Sequence, residues 1–165
     1  MELAERNGKL AGWTVEIVAT DFVEEALSRA RKGRYSQFEV QRGLPVSLLV
    51  KYFNKVGNAW EISPEIRRKV EFRVHNLLDD SRALGRFDVI FCRNVLIYFD
   101  DATKRAVLAS LASRLAPDGY LVLGAAETTT GISGEFMPEP EGQHGVFRFT
   151  PEAGAAAEAR WRKAV

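Results

Sequence analysis

Apolar positions along this chain recur with two different periods, and their order predicts strands interleaved with helices. Strand-like composition, rich in β-branched and aromatic residues, marks Thr14–Ala19, Ala59–Ser63, Val70–His75, Phe87–Cys92, Tyr120–Leu123 and Gly145–Phe149. Helical spacing marks Phe22–Arg31, the segment from Leu44 through Tyr52, and Asp101–Leu115. Strands that alternate with helices favour an α/β fold, in which a mostly parallel sheet is covered by helices on both faces.

Local signals refine this prediction. Gly33 is of the type that ends a helix, and Pro117–Asp118–Gly119 predicts a turn before the strand at Tyr120. Phe87–Cys92 is a short, mostly apolar run rich in β-branched and aromatic residues, which predicts a central strand covered on both faces. Glu2–Lys9 has the pattern of the last turns of a helix.

Length and composition predict one globular domain. The 165 residues are enough for a single core, which we place in residues 1–150, with residues 151–165 as a tail rich in alanine, glutamate and arginine. The net charge of +1 gives no support for nucleic acid as a partner. No apolar run reaches the ~20 residues of a membrane span, and the first residues lack the apolar segment of a signal peptide. A single cysteine, Cys92, builds neither a disulfide nor a cysteine metal site, so we expect a cytoplasmic protein without membrane insertion.

Polar residues follow three of the predicted strands. They are Asp21, Asn76 and the pair Arg93–Asn94, with Tyr98 close behind. Ligands of open α/β sheets bind beyond the carboxyl ends of the strands, where an acidic residue accepts hydrogen bonds from ribose hydroxyls. Each residue also has a structural interpretation, since Asp21 can cap the next helix, Arg93 and Asn94 can cap a strand, and Tyr98 can fill the core. Together they favour a nucleotide-like site.

Several longer motifs resemble one known family. They are Val-Ala-Thr-Asp at Val18–Asp21, Tyr-Ser-Gln-Phe-Glu-Val-Gln-Arg-Gly-Leu-Pro at Tyr35–Pro45, Asn-Leu-Leu at Asn76–Leu78, Phe-Cys-Arg-Asn-Val-Leu-Ile-Tyr-Phe at Phe91–Phe99, and Pro-Asp-Gly-Tyr-Leu-Val-Leu-Gly at Pro117–Gly124. From Leu10 to Phe149 the chain resembles the CheR-type chemoreceptor methyltransferases. The resemblance implies a Rossmann-like S-adenosylmethionine methyltransferase fold. It also implies methylation of glutamate side chains in the cytoplasmic domain of bacterial chemoreceptors, with S-adenosylhomocysteine as the product.

The resemblance assigns a role to each polar residue. Asp21 corresponds to the acid that holds the cofactor ribose, and Asn76 and Leu77 correspond to the pair that flanks the adenine. Arg93, Asn94 and Tyr98 correspond to residues around the sulfonium and methyl group, and Arg93 and Tyr98 are the candidates for orienting the incoming carboxylate. A glutamate carboxylate is already ionised near neutral pH, so this reaction needs no general base and no metal. We therefore expect structural or surface roles for His75 and His144.

The chain departs from the family pattern at its start. Family members begin with a small helical domain, a first strand and a glycine-rich turn, whereas this sequence begins within the helix that follows that turn. A truncated chain, a misassigned start and a degenerate domain are all compatible with this. We expect weakened cofactor binding and unpaired edges on the strands at Val15 and Phe87, which invite dimerisation or exchange of elements between copies. The alternative to an enzyme is a non-catalytic domain that acts in protein interaction or assembly.

Residues 52–74 correspond to a small antiparallel β-subdomain that this family inserts. Some members use it to dock on a pentapeptide at the receptor's C-terminus, and these have a longer, glycine-containing loop. The loop here has a single glycine, Gly57, so we expect a pentapeptide-independent type in which Trp60 and Phe72 pack the subdomain against the sheet. The alternative is that Trp60 is itself a docking aromatic.

Overall fold

A computed structural model describes Gly8 and residues 11–140 and 144–162. The chain divides into two compact units, Met1–Asn76 and Leu77–Val165. Apart from Gly8, the helix predicted at Glu2–Lys9 lies outside the described residues. None of the helices in the described ranges has the length and apolarity needed to span a membrane.

The described elements follow the predicted alternation of strands and helices. The strands are β1 (Ile17–Asp21), β2 (Arg34–Ser36), β3 (Phe53–Val56), β4 (Ala59–Ile62), β5 (Val70–Val74), β6 (Phe87–Cys92), β7 (Leu115–Leu123), β8 (Phe136–Pro138) and β9 (Val146–Phe149). The helices are α1 (Glu24–Lys32), α2 (Gln37–Gln41), α3 (Val46–Tyr52), α4 (Pro64–Arg67), α5 (Asp101–Arg114) and α6 (Pro151–Arg162). Single 3₁₀ turns cover Ser81–Leu84 and Leu96–Tyr98.

The first unit contains a parallel pair of strands. β1 pairs with β5, from Ile17 opposite Val70 to Asp21 opposite Val74. Helix α1 makes the crossover from β1 and ends at Gly33, which has the left-handed φ of 62°. A Cβ at Gly33 would lie 2.7 Å from a side-chain carbon of Ile62, so glycine is required there for its conformation and for space. The predicted helix end at Gly33 is confirmed.

The first unit also contains a three-stranded antiparallel sheet in the order β2-β4-β3. Strands β3 and β4 form a hairpin around Gly57, and the Tyr35 and Phe53 rings meet edge to face with centroids 5.7 Å apart. This sheet differs from the predicted subdomain at residues 52–74. It takes β2 from outside that range, whereas Phe72 lies in β5 of the parallel pair. The sheet includes β2 because β2 pairs with β4, and it leaves out Phe72 because β5 pairs with β1.

The second unit is built on a four-stranded sheet in the order β6-β7-β9-β8, in which β6 and β7 are parallel. One face carries the buried core, with Leu121 and Phe147 paired across β7 and β9. Helices α5 and α6 contribute Leu108 and Ala157 to the same core. Among the described residues, β6 pairs only with β7 and β1 only with β5.

Two predictions about the second unit are wrong. The face of β6 opposite the core is open, since Phe91 is 73% exposed, so β6 is not covered on both faces. The predicted turn at Pro117–Gly119 is an irregularity inside β7, where Leu115 pairs with Phe87 but Tyr120 pairs with Val89. Beyond these two, the segment described from the sequence as a tail contains helix α6, in which Ala157 is buried and the Trp161 ring lies 4.4 Å from the Arg86 guanidinium.

Candidate functional site

In the first unit, Asp21 is the last residue of β1, and Asn76 lies two residues after the parallel neighbour β5. The Asp21 carboxylate accepts a hydrogen bond from the backbone N–H of Val23 at 2.8 Å, and its backbone carbonyl accepts one from His75 N–H at 2.9 Å. The N-cap residue of α1 is Val23, which makes no side-chain cap, so Asp21 closes a tight turn instead of capping the helix. In the described part of the chain, Oδ2 of Asp21 has no hydrogen-bond partner. Asp21 therefore retains an acceptor for a ligand.

In the second unit, the loop that follows β6 carries three of the predicted residues, Arg93, Asn94 and Tyr98. The Arg93 side chain donates through Nε to the carbonyl of Leu123, at the end of β7, at 3.3 Å. Asn94 has a left-handed φ of 60°, which is uncommon for a residue other than glycine. Leu96 is buried, whereas Tyr98 is 80% exposed. Leu96 thus fills the core position that one interpretation gave to Tyr98. Leu77, the remaining predicted residue of this unit, is half-buried and packs on the core.

Glu127 is a central residue of this region that the sequence analysis missed. Its carboxylate is almost completely buried and accepts four backbone hydrogen bonds, from Asn94, Val95, Ile97 and Gly124, at 2.6 to 3.3 Å. Burial opposes ionisation of Glu127, but the four hydrogen bonds together outweigh it and lower the pKa of the carboxyl. The carboxylate thus joins the loop after β6 to the end of β7.

Close packing and charge shape the surroundings of Glu127. A Cβ at Gly124 would lie 2.7 Å from Oε2 of Glu127 and 2.9 Å from Nδ2 of Asn94, so glycine alone fits there. Burial first, and the charge of Glu127 second, raise the pKa of the Cys92 thiol to about 11. Cys92 is therefore a protonated core residue and is not suited to be a nucleophile.

The predicted site residues supply different polar groups in the two units. At the ends of its parallel strands, the first unit carries the Asp21 carboxylate and the Asn76 amide. The second unit carries the Arg93 guanidinium, the Asn94 amide and, farther along the same loop, the Tyr98 phenol. Among the described residues, no cluster of three or more histidine, cysteine, aspartate or glutamate side chains is arranged to hold a metal ion.

Comparison with known proteins assigns the chain to a family. Residues 1–142 match the family model described as "CheR methyltransferase, SAM binding domain". The chain belongs to this family, and its fold is the Rossmann-like methyltransferase fold that the sequence predicted.

Individual relatives agree with this assignment. The chain is 43% identical over 123 residues to chemotaxis protein methyltransferase Cher2 of Pseudomonas putida, a match that covers 74% of this chain and 45% of that protein. It is 44% identical over 124 residues to chemotaxis protein methyltransferase 1 of Pseudomonas aeruginosa, with the same two coverages. The probable biofilm formation methyltransferase WspC of Pseudomonas aeruginosa is 33% identical over 153 residues, which cover 92% of this chain and 36% of WspC. The chain thus matches less than half the length of each of these relatives.

Proposed function

We propose that this chain is the S-adenosylmethionine-binding domain of a methyltransferase that acts on glutamate side chains in the cytoplasmic domain of chemoreceptors. The observation that carries the proposal is that each candidate residue ends a parallel strand or lies in the segment after one, within the residues that match the family model. The relatives named chemotaxis protein methyltransferases support the choice of substrate. A cytoplasmic location follows from that substrate.

The residues present fit the cofactor by their chemistry. Asp21 has a free carboxylate oxygen for the ribose hydroxyls, and we assign Asn76 and Leu77 to the adenine. Arg93 and Asn94 complete the proposed cofactor-binding set. When bound, S-adenosylmethionine supplies an electrophilic methyl group that an ionised carboxylate can accept without a general base.

The proposed catalytic residues are Arg93 and Tyr98. The Tyr98 side chain is 80% exposed, so its hydroxyl is accessible to an incoming glutamate side chain. Because the Arg93 Nε is already bonded to Leu123, the rest of its guanidinium has donors left over for a carboxylate. Their role in this proposal is to orient the nucleophile, which is the main contribution an enzyme makes to such a displacement.

Calorimetric titration with S-adenosylhomocysteine tests the cofactor site. Asp21→Asn retains an oxygen for Val23 N–H but removes the charge that a ribose hydroxyl would meet. We expect its affinity to fall by about tenfold or more, because a hydrogen bond to a charged group contributes roughly 1.5–3 kcal/mol. Asp118→Asn, at an exposed position early in β7, is the matched control and should bind like the original chain. Equal affinities of both variants would refute the assignment of Asp21.

Self-association is a second part of the proposal, and it also bears on the alternative of a non-catalytic interaction domain. The observation that favours it is the unpaired edge on β1 and on β6 among the described residues. Light scattering over a range of concentrations should show a dimer, and Phe91→Lys on β6 should weaken it by placing a charge beside the edge. Phe38→Lys in α2 is a control of similar exposure, 68% against 73%. A monomer at all concentrations would contradict association, whereas association without cofactor binding would favour the interaction domain.

A further inference from the structure

The four hydrogen bonds of Glu127 are divided evenly between its two carboxylate oxygens. Oε2 accepts from Asn94 N–H at 2.7 Å and from Gly124 N–H at 2.6 Å. Oε1 accepts from Val95 N–H at 2.9 Å and from Ile97 N–H at 3.3 Å. Only 8% of Glu127 is exposed to solvent. Each oxygen of this buried carboxylate therefore accepts two hydrogen bonds, which fix the carboxylate and the backbone around it.

The backbone that Glu127 holds is irregular and cannot satisfy these donors by itself. The loop leaves β6 at Cys92, passes through the left-handed conformation of Asn94, and enters the 3₁₀ turn Leu96–Tyr98. The amides of Asn94, Val95 and Ile97 converge on one point, and converging N–H dipoles favour a negative charge between them. Without that charge, the buried donors would lack partners, which is costly.

The loop therefore has two anchors, one apolar and one ionic. The Leu96 side chain is 2% exposed and is packed in the core of the second unit. Glu127 fixes the backbone on either side of Leu96, at Val95 and Ile97. Asn94 and Tyr98 are among the side chains of this loop that stay exposed, and we assign them to the cofactor and to the substrate carboxylate.

We infer that Glu127 is a positioning residue, which holds the loop after β6 so that Asn94 and Tyr98 are presented in one arrangement to their ligands. The effect of Glu127 on ligand binding rests on the proposed function, whereas its anchoring of the loop does not. Glu127 touches neither substrate nor cofactor in this role; it acts through the backbone of the loop. Its sequence separation from the residues it holds is 30 to 33 positions.

The variant Glu127→Gln tests the anchor at nearly constant volume. One of its two terminal atoms becomes an NH₂ group, which faces two backbone N–H donors and cannot accept from them. Amide hydrogen exchange, followed by NMR, should then be at least about tenfold faster at one of the two pairs of amides, Asn94 with Gly124 or Val95 with Ile97, because that pair loses its hydrogen bonds to a charged group. The other pair keeps a neutral oxygen as its acceptor. Glu127→Asp keeps the charge on a shorter side chain and is a second variant if the glutamine form fails to fold. Glu152→Gln, at an exposed glutamate of α6, is the matched control.

Cofactor affinity distinguishes positioning from simple stabilisation. At a temperature well below unfolding, Glu127→Gln should bind S-adenosylhomocysteine about tenfold more weakly than the original chain. Phe149→Leu, a core change in β9, should lower the melting temperature without altering affinity or loop exchange. Unchanged exchange at positions 94–97 would overturn the inference, and so would faster exchange with unchanged affinity. If the original chain itself fails to bind S-adenosylhomocysteine, the proposed function is wrong, and the exchange rates still decide whether Glu127 holds the loop.

Discussion

A single methyl group at Gly124 should disrupt the end of β7 and the loop after β6 together. The Cβ of Gly124→Ala would lie 2.7 Å from Oε2 of Glu127, 2.9 Å from Nδ2 of Asn94 and 3.0 Å from the Asn94 backbone nitrogen. Contacts shorter than 3.0 Å are essentially never seen for a real Cβ, so an atom has to move. The Glu127 carboxylate cannot retreat without lengthening bonds to Asn94 and Gly124.

The expected destabilisation is about 3 kcal/mol. Inserting a methyl group into a packed site costs about 1–3 kcal/mol, and a weakened hydrogen bond to a charged group costs about 1.5–3 kcal/mol. The two costs overlap, because the movement that weakens the hydrogen bond also relieves part of the clash. For a chain of this length, 1 kcal/mol corresponds to a change of about 2–4 °C in melting temperature. We therefore expect Gly124→Ala to lower the melting temperature by roughly 6–12 °C.

Thermal unfolding followed by circular dichroism measures this effect, with Gly134→Ala as the matched control. A Cβ at Gly134 meets no atom within 4 Å, and Gly134 does not have a positive φ, so alanine is tolerated there. Equal melting temperatures for the two variants would refute the close packing around Glu127. S-Adenosylhomocysteine titration of Gly124→Ala should also show weaker binding if the displaced residue is Asn94.

Three further predictions concern the thiol, the pH dependence and the hairpin. Cys92 should react very slowly with a thiol reagent at pH 8, because a pKa of about 11 leaves only about a thousandth of the side chain as thiolate. The reaction of the chain in denaturant is the control. Rapid labelling of the folded chain would contradict the burial of Cys92. The stability that Glu127 contributes should be complete above its ordinary pKa of 4.5 and be lost as the pH falls through its lowered pKa in the folded chain. The difference in unfolding free energy between the original chain and Glu127→Gln should therefore shrink in acid, and a constant difference would count against an ionised anchor. A receptor-type pentapeptide should cause no saturable change in tryptophan fluorescence, whereas binding abolished by Trp60→Ala would show that the short hairpin is a docking site.

Helices with clear end signals were predictable from sequence because their determinants are local. The stop at Gly33 depends on one residue's access to the left-handed conformation, and the start of α5 depends on Asp100, whose carboxylate accepts from Thr103 N–H. Helix α6 lacks such a pattern. Its alanine-rich sequence has no apolar stripe, and Ala157 is its only buried residue among those described, so packing rather than periodicity defines it.

Short strands were missed because their pairing partners define them. Strands β2 and β8 are three residues each, and neither is long enough to show an alternating pattern. The exposure of Phe91 has a related cause, since the apolar run of β6 fits a strand covered on two faces, but its packing partners lie on one face only. Sequence composition thus indicated that β6 is a strand without indicating what covers it.

Part of the candidate site was also predictable from local sequence signals, and part of it depends on contacts that only the fold creates. Asp21, Asn76, Arg93 and Asn94 could be proposed because strand ends are recognisable in the sequence, and strand ends are where such folds bind ligands. Glu127 follows the end of β7 by four residues in a loop, where an exposed acid is equally expected. Nothing local distinguishes it from such an acid.

Glu127 has its role because the fold brings several backbone N–H donors to one place. The backbone amides of Asn94, Val95 and Ile97 donate to Glu127, and they converge because Leu96 between them is fixed in the core. One carboxylate satisfies the whole group, and ionisation of that carboxylate is favoured by the same amides. The apolar anchor and the ionic anchor are therefore coupled, since moving Leu96 would separate the donors that keep Glu127 charged. A loop held in this way can present Asn94 and Tyr98 at the surface in one arrangement, which is what positioning of a bound ligand requires.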